Sequence, residues 1–329
     1  MSEKIAIQIL FNNTSRYAPM VLKSLQAQTI RDWKLFVMDN SCHPQEASTI
    51  ERLLQESGIK FQFTASPRNL GFAGGHQALF EQHASPFVVL LNDDAYLDPS
   101  YLEACLARSE LDPSCASVQG LVYHWSCGPD QPEPLSATTK IDTLGLSYVC
   151  LGKIVDGAAG RLATEVASEM KEAHHVFGSS GAVVLYRRDL VLQATPWGQL
   201  FDPEFFLYKE DVDLALRLKR AAFTTWFEPR AIAFHARTMK SHQPGLLARI
   251  REERRRPLRL RVMMYRNQWA LYVMHARWSC GWRDLWLTCM HECLRSASLF
   301  FLGSPFAFFE AWVYILRHQS GWRERRKQL

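Results

Sequence analysis

Two pairs of adjacent acidic residues carry the chemistry that the sequence suggests. Asp93 and Asp94 follow an apolar run at residues 86–91, which predicts a buried strand, and open α/β sheets bind ligands at the carboxyl ends of such strands. Glu210 and Asp211 open a later apolar-periodic stretch, at the start of a predicted helix. The first pair suits a divalent cation on phosphate oxygens, and the second suits a base that deprotonates a hydroxyl. Together they suggest transfer from a nucleotide-activated donor.

Each of these acids also has a structural explanation. Adjacent carboxylates repel each other and are costly to bury, which favours a cation at residues 93–94, although this segment is also rich in turn residues. Acids in the first turn of a helix are stabilised by the helix dipole, which accounts for Glu210 and Asp211 without any catalytic role. His235 follows an apolar strand, and it is either a hydrogen-bonded structural histidine or a metal ligand.

A glycine-rich segment at residues 69–75 precedes a predicted helix. Its glycines let the backbone approach a ligand, and the free N–H groups of a helix start favour phosphate. The spacing fits neither the dinucleotide fingerprint nor the P-loop, so an ordinary turn is the alternative. Asp39 ends the second predicted strand, where it either caps a turn or contacts a ribose or a base.

Composition and charge divide the chain into an acidic body and a basic end. The 329 residues are 47% hydrophobic, which allows one large domain or two. Residues 240–329 hold 17 Lys and Arg against 6 Asp and Glu, whereas residues 1–239 hold 21 against 27. Six of the ten tryptophans also lie in the basic end, and this mixture is typical of a membrane-surface segment. No nucleic-acid-reading motif is present, so we expect no nucleic-acid partner.

The cysteines and the first residues predict a cytoplasmic protein. The eight cysteines form no Cys-x-x-Cys pair, which argues against structural zinc and fits a reducing compartment. The chain enters a strand-like run at Ile5 without a signal-peptide pattern. The longest apolar stretch, residues 297–316, is about long enough to span a bilayer, but residues 303–305 and Glu310 interrupt it. We therefore favour two shorter interfacial helices over a spanning helix, on the inner face of the membrane.

Strand and helix patterns alternate over the first part of the chain. Predicted strands lie at residues 5–11, 34–38, 61–64 and 87–91, and predicted helices lie at residues 18–28, 49–56 and 75–83. This rhythm predicts an α/β fold with a mostly parallel sheet. Residues 123–134 resemble a loop, and residues 135–175 show no clear pattern. The later elements are a loop entering a strand at 178–185, a helix at 211–222, and strands at 224–227 and 231–235.

In order along the chain, these motifs resemble those of family 2 glycosyltransferases, which are inverting enzymes with the GT-A fold. They are most similar to the bacterial rhamnosyltransferase-like members that build surface polysaccharides. The resemblance covers about residues 4–267. It is carried by the segments at residues 24–29, 37–41, 69–75, 90–94, 141–146, 178–182, 186–189, 201–206 and 208–214, by His235, and by Arg266 with Asn267.

The resemblance implies a role for each matching residue. Asp211 would be the general base, with Glu210 beside it. Asp94 would hold Mg²⁺ or Mn²⁺ on the donor diphosphate, with His235 as a further ligand. The donor nucleotide would contact Asn12, Asp39, Asn69, Gly71, Gly74 and Asp93, and the acceptor side would be shaped by Ser180 and Gly181.

The resemblance also implies the reaction and its partners. We expect a hexosyl- or deoxyhexosyltransferase that moves rhamnose or a similar sugar from a dTDP- or UDP-sugar to a hydroxyl of a glycan or lipid-linked glycan. Residues 1–240 would form the GT-A domain, and residues 241–329 would form a helical, basic and aromatic segment on an anionic membrane surface. Two alternatives are a non-catalytic relative that binds nucleotide or a partner, and a metal-dependent hydrolase of nucleotide sugars.

Overall fold

Strands and helices alternate along the first part of the chain, as the sequence predicts. A computed structural model describes residues 3–125, 140–236, 257–276 and 281–329. The first elements are β1 (Ile5–Phe11), α1 (Ala18–Gln26), β2 (Trp33–Asp39), α2 (Pro44–Ser57), β3 (Phe61–Ala65), α3 (Gly71–Phe80) and β4 (Phe87–Leu91).

The following part is richer in short strands. Its elements are β5 (Ala95–Leu97), α4 (Tyr101–Leu111), β6 (Cys115–His124), β7 (Ile141–Thr143), β8 (Leu146–Cys150), β9 (Lys153–Asp156), β10 (His174–His175), β11 (Val183–Arg187), α5 (Arg188–Ala194), α6 (Glu210–Arg220) and β12 (Thr224–His235). The last helices are α7 (Leu258–His275), α8 (Trp282–Ala297) and α9 (Pro305–Gln328), with a π-helical turn at Ser298–Gly303 between the last two.

One large sheet forms the centre of the molecule, with the strand order β10-β12-β6-β11-β4-β1-β2-β3. Strands β3, β2, β1 and β4 are parallel to one another. Strand β11 is antiparallel to both of its neighbours, β4 and β6. The predicted α/β class is therefore confirmed. The sheet is parallel from β4 to β3, as expected, whereas the part from β11 to β10 contains both parallel and antiparallel pairs. Strands β8 and β9 form a separate hairpin.

The strand register places the candidate residues along one edge of this sheet. Phe11 is aligned with Asp39, so the segments that follow β1 and β2 leave the sheet side by side. Because β11 runs in the opposite direction, its first residue, Val183, pairs with Leu91 at the end of β4. The acids after β4 and the loop before β11 therefore meet at the carboxyl edge, where open α/β sheets bind ligands.

The two strands expected at residues 224–227 and 231–235 are one continuous strand, β12, and the prediction of two was wrong. Its pairing with β6 shifts between Glu228 and Ile232. Pro229 lies inside this interval, and proline has no N–H to donate to the ladder, so a bulge interrupts the pattern without ending the strand. The unassigned stretch 135–175 contains β7 to β10 in its described part, and most of the predicted loop 123–134 lies outside the described residues.

The C-terminal helices pack against the sheet-bearing part of the chain. One cluster of buried apolar side chains joins Val88 of β4 and Leu214 of α6 to Leu271 of α7 and Trp322 of α9. The predicted break near residues 303–305 is confirmed, because α8 gives way to the π-helical turn and α9 restarts at Pro305. Across the described ranges, none of the helices combines the length and the apolar character needed to cross a membrane. The domain boundary expected at residue 240 lies outside the described residues and stays a prediction.

A buried ion cluster connects α6 to α7. Asp213 accepts a hydrogen bond from Arg217 one turn later (2.9 Å) and contacts His275 of α7 (2.8 Å). Arg217 also donates to the Leu200 carbonyl (2.8 Å) and to Thr195. Burial alone would raise the pKa of the Asp213 carboxyl, but the charge of Arg217 and the contacts of His275 lower it below its usual range. The cluster thus fixes the first turn of α6 against a distant helix.

Substituting Arg217 with Met is expected to lower the free energy of unfolding by about 3–5 kcal/mol, because it leaves the Asp213 carboxylate buried without its cation. The matched control is Arg52→Met, which breaks an exposed pair with Glu56 at the same i,i+4 spacing and is expected to cost roughly 0.5 kcal/mol or less. Urea unfolding followed by circular dichroism measures both losses. Equal losses in the two variants would contradict a stabilising role for the buried cluster.

Candidate active site

A cavity of about 420 Å³ opens at the carboxyl edge of the sheet, and we call it the main cavity. It lies between the ends of β1 and β4, the start of α3, the loop before β11 and the start of α6. Ten of the twelve residues predicted for the site line it: Asn12, Asn69, Gly71, Asp93, Asp94, Ser180, Gly181, Glu210, Asp211 and His235. Residues that are distant in the sequence therefore converge on one space.

The other two predicted residues, Asp39 and Gly74, are not among those that line the main cavity. The Asp39 carboxylate is buried and accepts hydrogen bonds from the backbone N–H (3.0 Å) and the hydroxyl (2.9 Å) of Ser41. It therefore caps its own turn, as the structural alternative required, and its expected contact with a ribose or a base stays a prediction. Gly74 lies within α3, where an added Cβ would approach the Cβ of Leu70 to 3.3 Å. Its missing side chain thus serves close packing.

Asn40, beside Asp39, holds the glycine-rich segment in place. Its side-chain amide donates to the Gly71 carbonyl (3.0 Å) and accepts from the Leu70 N–H (2.8 Å). Gly71 has a φ of +70°, and a Cβ there would lie 2.3 Å from the carbonyl oxygen of Phe206. Glycine is thus required at this point, where the segment touches the loop before α6. Asn40 lies within the motif at residues 37–41, for which only Asp39 had a predicted role.

Asp93, Asp94 and His235 form a charged group at one end of the main cavity. The two nitrogens of His235 lie 3.0 Å from an Asp94 oxygen and 2.9 Å from an oxygen of Asp142. Burial would lower the pKa of His235, but the two carboxylates raise it to about 10. Burial and the charge of Asp94 raise the pKa of Asp93 to about 7, although Thr14 donates a hydrogen bond to it. The group therefore holds closely spaced negative charge that a cation would stabilise.

Asp93, Asp94 and His235 suit a metal ion that is held jointly by the protein and by the phosphate groups of a bound ligand. In the described ranges no three His, Cys, Asp or Glu side chains are grouped so that they alone could bind a metal ion. Magnesium and similar ions are usually held by one or two carboxylates together with substrate phosphates. Asp93 and Asp94, two adjacent carboxyl groups at the wall of the main cavity, meet that requirement. His235 contacts Asp94 and Asp142 through its two ring nitrogens, so it orients these carboxylates, and its expected role as a further metal ligand stays a prediction.

The second acidic pair faces the same cavity from the start of α6. Asp211 accepts hydrogen bonds from the N–H groups of Val212 (2.7 Å) and Gly181 (3.4 Å). Glu210 is buried, and its Oε2 accepts no hydrogen bond from any residue that the structure describes. Burial raises the pKa of both carboxyls, and the pKa of Glu210 rises further because of the charge on Asp211. A buried carboxyl with a raised pKa is a stronger base than a solvated one.

Asp156 of β9 also lines the main cavity. After burial itself, its charge is the main cause of the raised pKa of Asp211. Asp156 was not predicted from the sequence, because it lies in the stretch 135–175, where neither periodicity nor motif spacing indicated a functional residue. Asp142 lies in the motif at residues 141–146. Its contact with His235, however, depends on the pairing of β6 with β7 and with β12, which are distant from each other in the sequence.

The loop that leads into α6 has an uncommon backbone conformation. Phe206, Tyr208 and Lys209 have φ values of +61°, +71° and +78°, a region that residues other than glycine seldom adopt. The side-chain amide of Asn267 in α7 donates to the carbonyls of Phe205 (2.8 Å), Leu207 (3.0 Å) and Tyr208 (2.8 Å). A strained loop persists when its surroundings determine its shape, and this buried amide supplies three of the contacts that do so.

Two solved glycosyltransferases share the fold. The chain matches the mannosyltransferase PcManGT from Pyrobaculum calidifontis, solved with GDP-Man and Mn²⁺, with a TM-score of 0.54 and 12% identity, over 99% of this chain and 85% of that one. It matches GalNAc-T7, solved with UDP, GalNAc and Mn²⁺, with a TM-score of 0.61 and 10% identity, over 95% of this chain and 57% of that one. The predicted GT-A fold is thus confirmed.

The sequence profile described as Glycosyltransferase like family 2 matches residues 10–280. The chain therefore belongs to that family, as the motifs predicted. No curated protein sequence matches the chain significantly. The rhamnosyl specificity and the bacterial origin suggested by the resemblance stay predictions, and so do the individual roles of the site residues.

Asn267→Ala is expected to lower turnover roughly 10- to 100-fold while leaving the KM for the donor nearly unchanged, because Glu210 and Asp211 lose the support of their loop. Asn267→Asp should be as damaging, since it turns an oxygen toward three carbonyl oxygens. Steady-state kinetics and hydrogen exchange of residues 206–211 measure the effect.

Gln28→Ala provides the matched control, because the buried Gln28 amide also donates to two backbone carbonyls, those of Ser24 (3.0 Å) and Asp98 (2.9 Å). It should change stability without changing turnover. An equal loss of turnover in both variants, or no loss in Asn267→Ala, would show that Asn267 has no positioning role.

Proposed function

We propose that the protein is an inverting glycosyltransferase that moves a sugar from a nucleoside diphosphate to a hydroxyl of a saccharide or lipid-linked saccharide. The observation that carries this proposal is that Asp93 and Asp94 line the same cavity as Glu210 and Asp211. One acidic pair is suited to the phosphate end of the donor, and the other is suited to a hydroxyl that must lose a proton. On the resemblance of the motifs, we propose that the nucleotide of the donor is dTDP or UDP. On the same ground, we propose that the product belongs to surface polysaccharide synthesis.

The donor side of the reaction is assigned to the end of β4 and its neighbours. Asp94 would hold Mg²⁺ or Mn²⁺, with Asp93 beside it and His235 fixing the Asp94 carboxylate. When bound, such an ion neutralises the charge that grows on the departing diphosphate. Asn12, Asn69 and Gly71 would line the nucleotide part of the cavity. Both solved relatives were obtained with Mn²⁺ and a nucleotide or nucleotide sugar, which supports this assignment by analogy.

The acceptor side is assigned to the start of α6. The acceptor oxygen attacks the anomeric carbon and forms the new glycosidic bond, while the bond to the phosphate oxygen breaks and its electron pair leaves with the diphosphate. The hydroxyl proton passes to Asp211, which the N–H groups of Gly181 and Val212 hold in orientation. A single displacement inverts the anomeric configuration. Glu210, with its raised pKa, would stay protonated near neutral pH and limit repulsion next to the base.

A panel of UDP-, dTDP- and GDP-sugars tests the proposal as a whole. Release of nucleoside diphosphate is measured with and without Mg²⁺ or Mn²⁺, and with and without a saccharide acceptor. Release that needs both metal and acceptor supports transfer. Release of free sugar that does not depend on acceptor would favour the hydrolase, and nucleotide binding without any release would favour the non-catalytic relative.

Asp211→Asn is expected to reduce transfer by at least about 100-fold, because amide nitrogen cannot accept the acceptor proton. Donor binding, measured by calorimetry with the nucleoside diphosphate, should stay within about threefold of wild type. The control is Asp189→Asn, an exposed carboxylate paired with Arg187. Transfer by Asp211→Asn above about a tenth of wild type would reject Asp211 as the general base.

We also propose that the C-terminal helices hold the protein on the inner face of the membrane. In α8, exposed large apolar residues lie at positions i, i+3, i+4, i+8 and i+12, which share one helix face: Trp282, Leu285, Trp286, Met290 and Leu294. Of the six tryptophans in the basic end, Trp322 is buried and Trp269 and Trp312 pack against the core. The basic tract at residues 249–261 lies mostly outside the described residues.

The double substitution Trp282→Glu with Trp286→Glu is expected to reduce binding to vesicles by at least about fivefold, because it removes two exposed rings from the apolar face of α8. Sedimentation with vesicles of phosphatidylcholine and phosphatidylglycerol measures the bound fraction. Leu111→Glu is the control, since Leu111 of α4 is 70% exposed, between Trp282 at 83% and Trp286 at 58%. Point changes are preferable to deletion, because α7 and α9 contribute buried side chains. Unchanged binding of the double variant would contradict the assignment.

A further inference from the structure

A second cavity, of about 410 Å³, lies between the β8–β9 hairpin and helices α7 and α8. It shares a wall with the main cavity. Ile154 and Val155 of β9 line the second cavity, whereas the next residue, Asp156, lines the main cavity. In the same way, Lys209 lines the second cavity and Glu210 lines the main one. A group bound in the second cavity would therefore lie directly behind the acidic pair of α6.

The lining of the second cavity is basic. Four cationic side chains and one histidine line it, and no described Asp or Glu does: Lys153, Lys209, Arg261, Arg295 and His291. Three of the cations have partners among the described residues, since Arg261 donates to the Ser298 carbonyl (2.9 Å), Arg295 to Glu292 (2.8 Å) and Lys209 to the Ile154 carbonyl (3.4 Å). Burial and the charges of Arg295, Lys153 and Lys209 lower the pKa of His291, despite the opposing effect of Glu292. These side chains thus lie close enough to act on one another, and an anion among them would be stabilised.

The same cavity borders the exposed apolar face of α8. His291, Leu294, Arg295 and Ser298 line it at the spacing of one helix face. Leu294 is also 65% exposed and ends the apolar row that begins at Trp282. A ligand that enters here meets cations inside the cavity and apolar side chains at its rim. This is the arrangement that a phosphate group joined to a hydrocarbon chain would fit.

We propose that the second cavity binds the phosphate group of the lipid that carries the acceptor sugar, with the lipid chain along the exposed face of α8. The inference rests on the proposed function, because it names the class of acceptor for the site around Asp211. Lys153 provides a charge-assisted contact to the phosphate oxygens, and Lys209, which also donates to the Ile154 carbonyl (3.4 Å), lines the same cavity. Because Lys209 directly precedes Glu210, the attached sugar would lie near the start of α6. Lys153 is the best residue to test, since it is exposed at the cavity and lies outside the catalytic machinery.

Titration calorimetry with dodecyl phosphate, below its micelle concentration, tests the proposal without donor or turnover. Wild type should bind dodecyl phosphate, and Lys153→Glu should bind it at least about tenfold more weakly, because attraction to the phosphate becomes repulsion. Lys153→Arg should bind nearly as wild type does. The matched control is Lys60→Glu, which changes an exposed lysine before β3, at the far edge of the large sheet. Circular dichroism confirms that each variant is folded.

Three outcomes would overturn the proposal. The first is equal affinity of wild type and Lys153→Glu, and the second is an equal loss in Lys60→Glu. The third is equal affinity of wild type for inorganic phosphate and dodecyl phosphate, which would mean that the cavity recognises a free anion and no lipid. Because no sugar is transferred in this experiment, its failure is distinct from a failure of the donor panel.

Discussion

Five carboxyl groups face the main cavity, and their mutual repulsion is the constraint on which the rest of the structure depends. Asp93 and Asp94 come from the end of β4, Asp156 from β9, and Glu210 and Asp211 from the start of α6. Burial and the neighbouring acids raise the pKa of Asp93, Glu210 and Asp211. Such a group does not assemble by itself, because each carboxylate would be more stable in water. Interactions elsewhere in the fold must hold it together.

The C-terminal helices supply much of that support. Asn267 of α7 holds the strained loop before α6, and His275 of the same helix contacts Asp213 one turn inside α6. Arg217 completes the cluster from within α6. Two residues of α7 therefore fix the start of α6, although α7 lies beyond the expected domain boundary at residue 240. On this account α7 is part of the machinery that positions the acids. The proposed membrane-facing surface lies on α8 and α9, since Phe306, Phe309, Val313 and Leu316 of α9 are exposed as well.

How much of this arrangement the sequence could predict depends on whether the signal was local. The strands β1 to β4 and the acids that follow β4 were predictable, because apolar runs and turn residues are local patterns. The joint position of Asp94 and Asp211 was implied by the resemblance of the ordered motifs to the family, because the strand-end rule applies to Asp94 but not to Asp211, which begins a helix. Asp39 caps its own turn, and its contact with the nucleotide stays a prediction, because a polar residue after a strand serves either purpose. Asp156 and the contact of Asp142 with His235 were not predictable, since they depend on pairing across long stretches of chain.

The central claim is that the early and late acids act on opposite ends of one reaction in the main cavity. The most direct measurement is a crystal structure of the full chain with Mn²⁺ and the nucleoside diphosphate of its donor. The account predicts the ion at a coordination distance of about 2.0–2.3 Å from an Asp94 oxygen, with the diphosphate between it and the glycine-rich segment. Open space for a sugar should separate that diphosphate from Asp211. Binding of the ion and diphosphate in the second cavity, or a wall of protein atoms between them and Asp211, would contradict the account.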